Sequence, residues 1–366
     1  MQRRLFLKNS IKTLGAGAAG IAAAPFVSTA NAQETITWDM VTSWPKNFPA
    51  LGTGANDFAQ RIETLSNGRM RIRVHGAGEL VPALEVFDAV AAGTAEMGHS
   101  ASYYWRGKVA AAQFFTAVPF GMNTQETNAW LYHGGGQELW DEVYAKHNLK
   151  PFPVGNTTTQ PGGWFKKEIN SLEDLQGIKL RLPGLAGEAM NRIGVTTVNM
   201  PGSEIFTSMQ TGVLDAADWV SPYNDLAFGL HQVADYYYTS AWNEPSAILE
   251  GTVNLDAWNA LPDDLKAVVT EAARASNLAM ISEFTFRNAQ ALETLVDEHG
   301  VELRSFPEDV MKALYEASQE VIAEQVENDA DSKKVHDSYV AFQKLVRPSN
   351  DAGEFAYLKA REAVGA

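Results

Sequence analysis

Between residues 36 and 75 the chain sets out a β-prone run, a helix-spaced run and an alternating run in that order, and this succession limits the fold more than any other feature. Residues 36–41 are apolar and β-prone. Leu51, Ala55, Phe58, Ile62 and Leu65 then recur at helical spacing until Asn67-Gly68 offers a stop. Met70, Ile72 and Val74 alternate with Arg71, Arg73 and His75, the period of a strand with one buried face, which completes a β-α-β unit. A second unit follows, with a helix over 83–92 and a strand over 96–100. From Leu149 the pattern restarts with strands at 149–155, 163–167 and 178–182, a helix at 184–192, a strand at 195–199 and a helix from Ser203, read as its N-cap, to Leu214. Beyond Pro262 the chain is almost wholly helical, with Leu265, Val268, Val269 and Ala272 on one face and Met311, Leu314, Val321 and Ile322 on another. The 366 residues amount to about two domains. No repeat or low-complexity linker separates them, so two α/β lobes that exchange segments, with a cleft between them and a helical C-terminal third, fit the pattern.

The first residues read as an address. Arg3-Arg4-Leu5-Phe6-Leu7-Lys8 is a twin-arginine run, followed by a small-residue apolar stretch over 14–27 and an Ala30-Asn31-Ala32 cleavage site. Lys12 and Pro25 leave too short an apolar run for a bilayer anchor. The mature protein is therefore expected to begin near Gln33, in the periplasm, after export by the twin-arginine route. Loss of Arg3, Arg4, Lys8 and Lys12, with no acid removed, takes the formal charge from −15 to −19. A chain this acidic lacks the basic face that nucleic-acid phosphates require.

Composition and motifs then remove whole classes of chemistry. With no cysteine there is no disulfide, thiol nucleophile, Fe–S cluster or thiolate zinc site. His133-Gly134-Gly135-Gly136 resembles an oxyanion segment but has no Gly-x-Ser-x-Gly elbow to serve, and reads as a glycine-rich turn. Gly52-Thr53-Gly54 lacks the third glycine of a dinucleotide fingerprint. The seven histidines include no pair at i, i+4.

What remains lies mid-chain. Arg181 ends a strand that breaks into Pro183-Gly184, the kind of position from which α/β folds bind ligands. Its guanidinium suits a carboxylate through two parallel hydrogen bonds, or else a neighbouring acid in an ordinary surface pair. Gln160 is either a site amide or a loop residue. Asp218-Trp219 and Glu244 fall among aromatics and prolines, where a carboxylate is costly to bury unless a cation accompanies it.

Three stretches, residues 179–188, 209–219 and 102–108, resemble the DctP-type substrate-binding proteins of TRAP transporters, and the likeness runs over essentially the whole mature chain. The Gln160-Pro-Gly-Gly-Trp164 segment is similar to that of the 2-oxoacid (pyruvate-type) and lactate binders. The resemblance implies a two-lobed periplasmic-binding-protein fold, with residues 33–155 and part of 244–366 in one lobe and 156–243 with the rest in the other. It implies that Arg181 clamps the substrate carboxylate. It also implies one metal cation, Na+ or Ca2+, held by Gln160, Asp218, Glu244 and the backbone carbonyl of Trp219, with Tyr103, Tyr104 and Asn156 as pocket walls. The implied partners are a small carboxylate ligand, the small and large membrane subunits of a TRAP permease, and a second copy of the chain. Helices at about 308–346 are the dimer-forming region, where Val335, Tyr339, Phe342 and Val346 fit either helix exchange or docking on the chain's own core. The competing readings are a 2-hydroxyacid binder of the same family and an exported enzyme acting on such acids.

Overall fold

Among the described residues of a computed structural model eleven strands, β1 (Ile36–Thr42), β2 (Met70–His75), β3 (Met97–Ser100), β4 (Leu149–Asn156), β5 (Gly163–Phe165), β6 (Lys179–Arg181), β7 (Thr196–Val198), β8 (Ala216–Ala217), β9 (Tyr236–Tyr238), β10 (Ile248–Asn254) and β11 (Glu302–Arg304), form two separate sheets. The structure describes residues 35–239 and 241–365; the twin-arginine run and the Ala30-Asn31-Ala32 site lie outside the described residues. The first sheet has the order β2-β1-β3-β10-β4 and the second β11-β9-β5-β8-β6-β7. β1, β2 and β3 are parallel, as the β-α-β reading requires, whereas β10 runs antiparallel between β3 and β4. This is the two-lobed α/β architecture expected from the sequence, one sheet per lobe.

Side-chain alternation sets what each face buries. In β1, Trp38 and Met40 face a core shared with Phe58 and Ile62 of helix Leu51–Leu65 and with Leu265, Val269 and Ala272 of helix Asp263–Glu293. Val41 points the other way, into a core of Trp105, Phe115, Trp130, Trp140 and Tyr144. In the second sheet Trp164, Ala217 and Tyr237 share one face while Phe165, Ala216 and Tyr238 share the other, as their register dictates. The face of Trp164 belongs to a cluster that also holds Trp44, Phe48, Leu51 and Tyr103 from beside the first sheet. One apolar cluster thus joins the lobes.

The chain crosses between the lobes through residues 157–162 and again through 241–247. These crossings pair with each other: Thr157 N–H donates to Ala247 (3.0 Å) and Gln160 N–H to Glu244 (3.0 Å). Helix Glu308–Asn328 then packs on the second lobe through Val310 and Leu314, and helix Ala330–Ala352 returns to the first, burying Val335 and Tyr339 in its core. The Tyr339 hydroxyl accepts from Met122 N–H at 2.6 Å. That face therefore docks on the chain's own core, while the terminal helix Glu354–Ala363 has no buried residue.

Local differences from the sequence reading have physical causes. The helix expected from Ser203 to Leu214 runs Gly202–Thr211, with Pro201 at the N-cap position in place of Ser203. Gly202 lies against Trp219, where a Cβ would come within 2.2 Å of the indole, so the helix begins where only hydrogen fits. Gly212, at φ 79°, stops it three residues early. The strand expected over 163–167 ends at Phe165, and the helix over 83–92 opens with a 3-10 turn, Ala83–Glu85. Among the described residues no helix is long and apolar enough to cross a membrane.

Candidate functional site

Arg181 is the last residue of β6 and is wholly buried. Pro183 cannot extend the ladder, so the strand ends and leaves the guanidinium at its C-terminal edge. Nη1 donates to the Asp218 carbonyl (2.6 Å) and lies 3.7 Å from Asp218 Oδ2; Nη2 donates to the Tyr104 hydroxyl (3.2 Å). The group sits over the Trp219 ring at 5.3 Å, and its Nε has no partner. A buried guanidinium that commits only part of its donor fork is prepared to receive an anion.

Two carboxylates accompany it. Asp218 and Glu244 are each 2% exposed. Burial raises both above the usual carboxylate range; for Glu244 the neighbouring Asp218 adds to the rise, and the Arg181 charge opposes it in both. Asn243 donates to Asp218 Oδ1 at 3.3 Å, which leaves Oδ2 unpartnered, and Glu244 Oε2 is likewise unpartnered. Gln160 spends its Nε2 on Thr157 Oγ1 (2.7 Å) and presents a buried, unpartnered Oε1. The Trp219 carbonyl accepts no hydrogen bond among the described residues, whereas the preceding Asp218 carbonyl is taken by Arg181.

These four free oxygens come from three places. Asp218 and Trp219 follow β8, while Gln160 and Glu244 belong to the paired crossings. Among the described residues no three His, Cys, Asp or Glu side chains cluster as a metal site. The donor set is instead two carboxylates, one amide and one carbonyl, all oxygen, which suits a hard cation such as Na+ or Ca2+. Buried lone pairs without donors are costly to leave empty-handed, so the residues present fit such an ion.

The walls come from the first lobe. Tyr103 and Tyr104 form the 3-10 turn Ser102–Trp105 after β3, with ring centroids 4.9 Å apart. Asn156, buried at the end of β4, donates to Ser246 Oγ (2.9 Å) and accepts from Thr158 N–H (2.7 Å), so both ends of its amide hold the crossing in shape. The structure brings Arg181, Asp218, Trp219, Tyr104 and, through charge, Glu244 together; Gln160 is tied to Glu244 by backbone.

Sequence reasoning missed Trp44 and His99. Trp44 stands 6.2 Å from Tyr104 and 6.4 Å from Trp219, and its Nε1 donates to His99 Nδ1 at 2.8 Å. Burial lowers the His99 pKa to about 3, so the ring is neutral and carries its proton on Nε2, which has no partner. Their position at the C-terminal ends of β1 and β3 was the available signal.

The profile of the family described as bacterial extracellular solute-binding protein, family 7 (DctP), matches residues 40–329. A monocarboxylate 2-oxoacid-binding periplasmic protein from Nostoc sp. (strain PCC 7120) is 43% identical over 324 residues, 88% of each chain. A TRAP periplasmic solute binding protein from Pseudoalteromonas atlantica T6c, solved with bound sodium and pyruvate, is 41% identical with a TM-score of 0.87, over 89% of this chain and 99% of the other. A TRAP transporter solute binding protein from Bordetella bronchiseptica RB50, a mixed occupancy dimer with copurified calcium and picolinate in one active site and an apo second site, is 35% identical with a TM-score of 0.88, over 91% and 100%. On the breadth of the profile match and of these likenesses, the chain belongs to the DctP family of bacterial extracellular solute-binding proteins.

Proposed function

We propose that this protein captures a 2-oxo monocarboxylate of the pyruvate type in the periplasm and delivers it to a TRAP permease. The observation that carries the reading is the buried pairing of a partly uncommitted Arg181 with four oxygens that lack donors. Arg181 reads the acid group through paired N–H donors. When bound, a Na+ or Ca2+ ion would supply a positive centre for the oxygens of a 2-oxoacid ligand. Picolinate, found with calcium in one relative, likewise carries a carboxylate.

With both carboxylates ionised, Arg181 and one ligand carboxylate leave two negative charges, which calcium balances; with one of the two acids protonated, as burial favours, one charge remains and sodium balances it. Gln160, Asp218, Glu244 and the Trp219 carbonyl hold the ion; Tyr103 and Tyr104 close the first-lobe side, and Asn156 shapes the crossing. The negative field of the whole chain opposes an anionic ligand, so capture depends on these local groups. Lobe closure then removes water from the contacts and marks the loaded form for the small and large permease subunits. The likeness to solute-binding proteins supports a receptor rather than an enzyme. Arg3-Arg4 supports export by the twin-arginine route, and the terminal helix Glu354–Ala363, none of whose residues is buried, supports pairing of two copies.

A thermal-shift screen tests this, because a ligand that binds only the folded state raises its melting temperature. Pyruvate and its 2-oxo homologues are expected to stabilise the protein, and the effect disappears once cations are removed. Stabilisation only by dicarboxylates or sugar acids contradicts the proposed ligand class; turnover of pyruvate or lactate contradicts the receptor reading.

A further inference from the structure

The segment that carries Asp218 and Trp219 is fixed by a buried acid to which the binding site assigns no role. Asp225 lies in helix Pro222–Phe228 and is 2% exposed. Its Oδ2 accepts from Trp164 Nε1 (2.9 Å) and Tyr237 Oη (2.7 Å), whose rings stack at 4.2 Å. Its Oδ1 accepts from the Val220 N–H at 3.2 Å. That amide belongs to the same peptide unit as the Trp219 carbonyl. A peptide unit is planar, and with no cis bond among the described residues its N–H and C=O point in opposite directions. Holding the Val220 N–H on one side therefore sets the direction of the Trp219 carbonyl on the other.

We propose that Asp225 is a positioning residue that aims the Trp219 carbonyl into the site by fixing the Trp219–Val220 peptide plane. The inference rests on the reading of that carbonyl as a cation ligand. Three donors converge on Asp225, and a carboxylate meets all of them; an amide at the same place would turn an N–H towards one. The segment is gripped on both flanks. Asp218 N–H donates to the Arg181 carbonyl at 2.9 Å, and Asn288 of the long helix accepts from Ser221 Oγ (2.9 Å) and Tyr223 N–H (3.1 Å). The peptide plane is thus set in advance, and the carbonyl needs no reorientation when an ion arrives.

The experiment compares the wild-type protein, Asp225→Asn and Tyr237→Phe, titrating calcium alone at saturating pyruvate. Asp225→Asn is expected to need about tenfold more calcium or beyond, as when a residue that orients a metal ligand is lost, and to recover pyruvate binding once calcium saturates. Tyr237→Phe, which removes a hydrogen bond to the same carboxylate, lowers the melting temperature and leaves the calcium requirement unchanged. An unchanged requirement in Asp225→Asn, or an equal rise in Tyr237→Phe, overturns the proposal. A wild-type protein that binds pyruvate without any cation overturns the underlying reading instead. If Asp225→Asn does not fold, wild-type NMR decides. Trp219-Val220 is the sole Trp-Val pair in the chain, so carbonyl-13C Trp with 15N Val labelling gives one peak. Calcium must shift its carbonyl while the amide stays near its original position; an amide that moves with the carbonyl overturns the proposal, and a carbonyl that does not respond overturns the reading it rests on.

Discussion

In the proposed function Arg181 is the residue on which ligand capture turns, and it is held by geometry that a lysine could not reproduce. Its planar fork reaches the Asp218 carbonyl and the Tyr104 hydroxyl at once, over the Trp219 ring. Arg181→Ala should keep the circular-dichroism spectrum and lose about 2–5 kcal/mol of pyruvate affinity by calorimetry, the range for truncating one partner of a buried charge pair. An affinity equal to wild type would remove the clamp from the account. Away from the site, Glu250 accepts from Trp105 Nε1 and, at 2.7 Å, from Tyr144 Oη, and burial raises it from 4.5 to about 7. The native state then holds a proton that the unfolded chain has released, so stability present below about pH 4.5 is lost as the pH rises to about 7. A displacement of that size amounts to roughly 3 kcal/mol. Melting temperatures across this window should fall more steeply for wild type than for Glu250→Gln; parallel curves would contradict the assignment. Arg181 was legible in the sequence because Pro183-Gly184 marks a strand end. Glu250 and Asp225 were not, because their partners lie up to 145 positions away and leave no local pattern.

At the scale of elements, the longest periodic runs were the most legible. Helix Leu51–Leu65 has the bounds its spacing predicts, since Ala55, Phe58, Ala59 and Ile62 on one face bury in the core shared with β1 and β2, while Leu65 at its end is half exposed. The second sheet was harder to read. β8 is two residues long, and β5, β6, β7, β9 and β11 are three each, too short for alternation to show. What fixes them is pairing with distant strands, as where Trp164 meets both Ala217 and Tyr237. The start of helix Gly202–Thr211 was misread at Ser203 for a similar reason, because its limit is the Trp219 ring rather than a cap. This contact gives a prediction. Gly202→Ala puts a methyl group into the indole and must displace Trp219, the neighbour of Arg181, at a typical overpacking cost of about 1–3 kcal/mol. Pyruvate affinity and tryptophan emission should change together, and a variant with wild-type values for both would show that the ring position does not matter.

The whole molecule combines an acidic exterior with a small site closed from both sides. Phe48 from the first lobe lies 4.3 Å from Phe228 of the second, Asn224 donates to the Pro49 carbonyl at 2.8 Å, and Arg106 pairs with Glu188 across the rim. These contacts between the protein's own groups join the lobes. The far end of the chain points outward: Leu345 is 75% exposed and Tyr357 61%, on helices with nothing over those faces. Removing residues 353–366 should leave pyruvate binding intact and give a monomer by light scattering, whereas a full-length monomer would contradict pairing through this helix. The central claim is that one buried constellation needs both a cation and a 2-oxoacid. Its most direct test is calorimetric titration of pyruvate into the protein before and after cations are stripped. Tight binding that disappears on stripping and returns with calcium or sodium is the predicted result; equal binding in both states would contradict it.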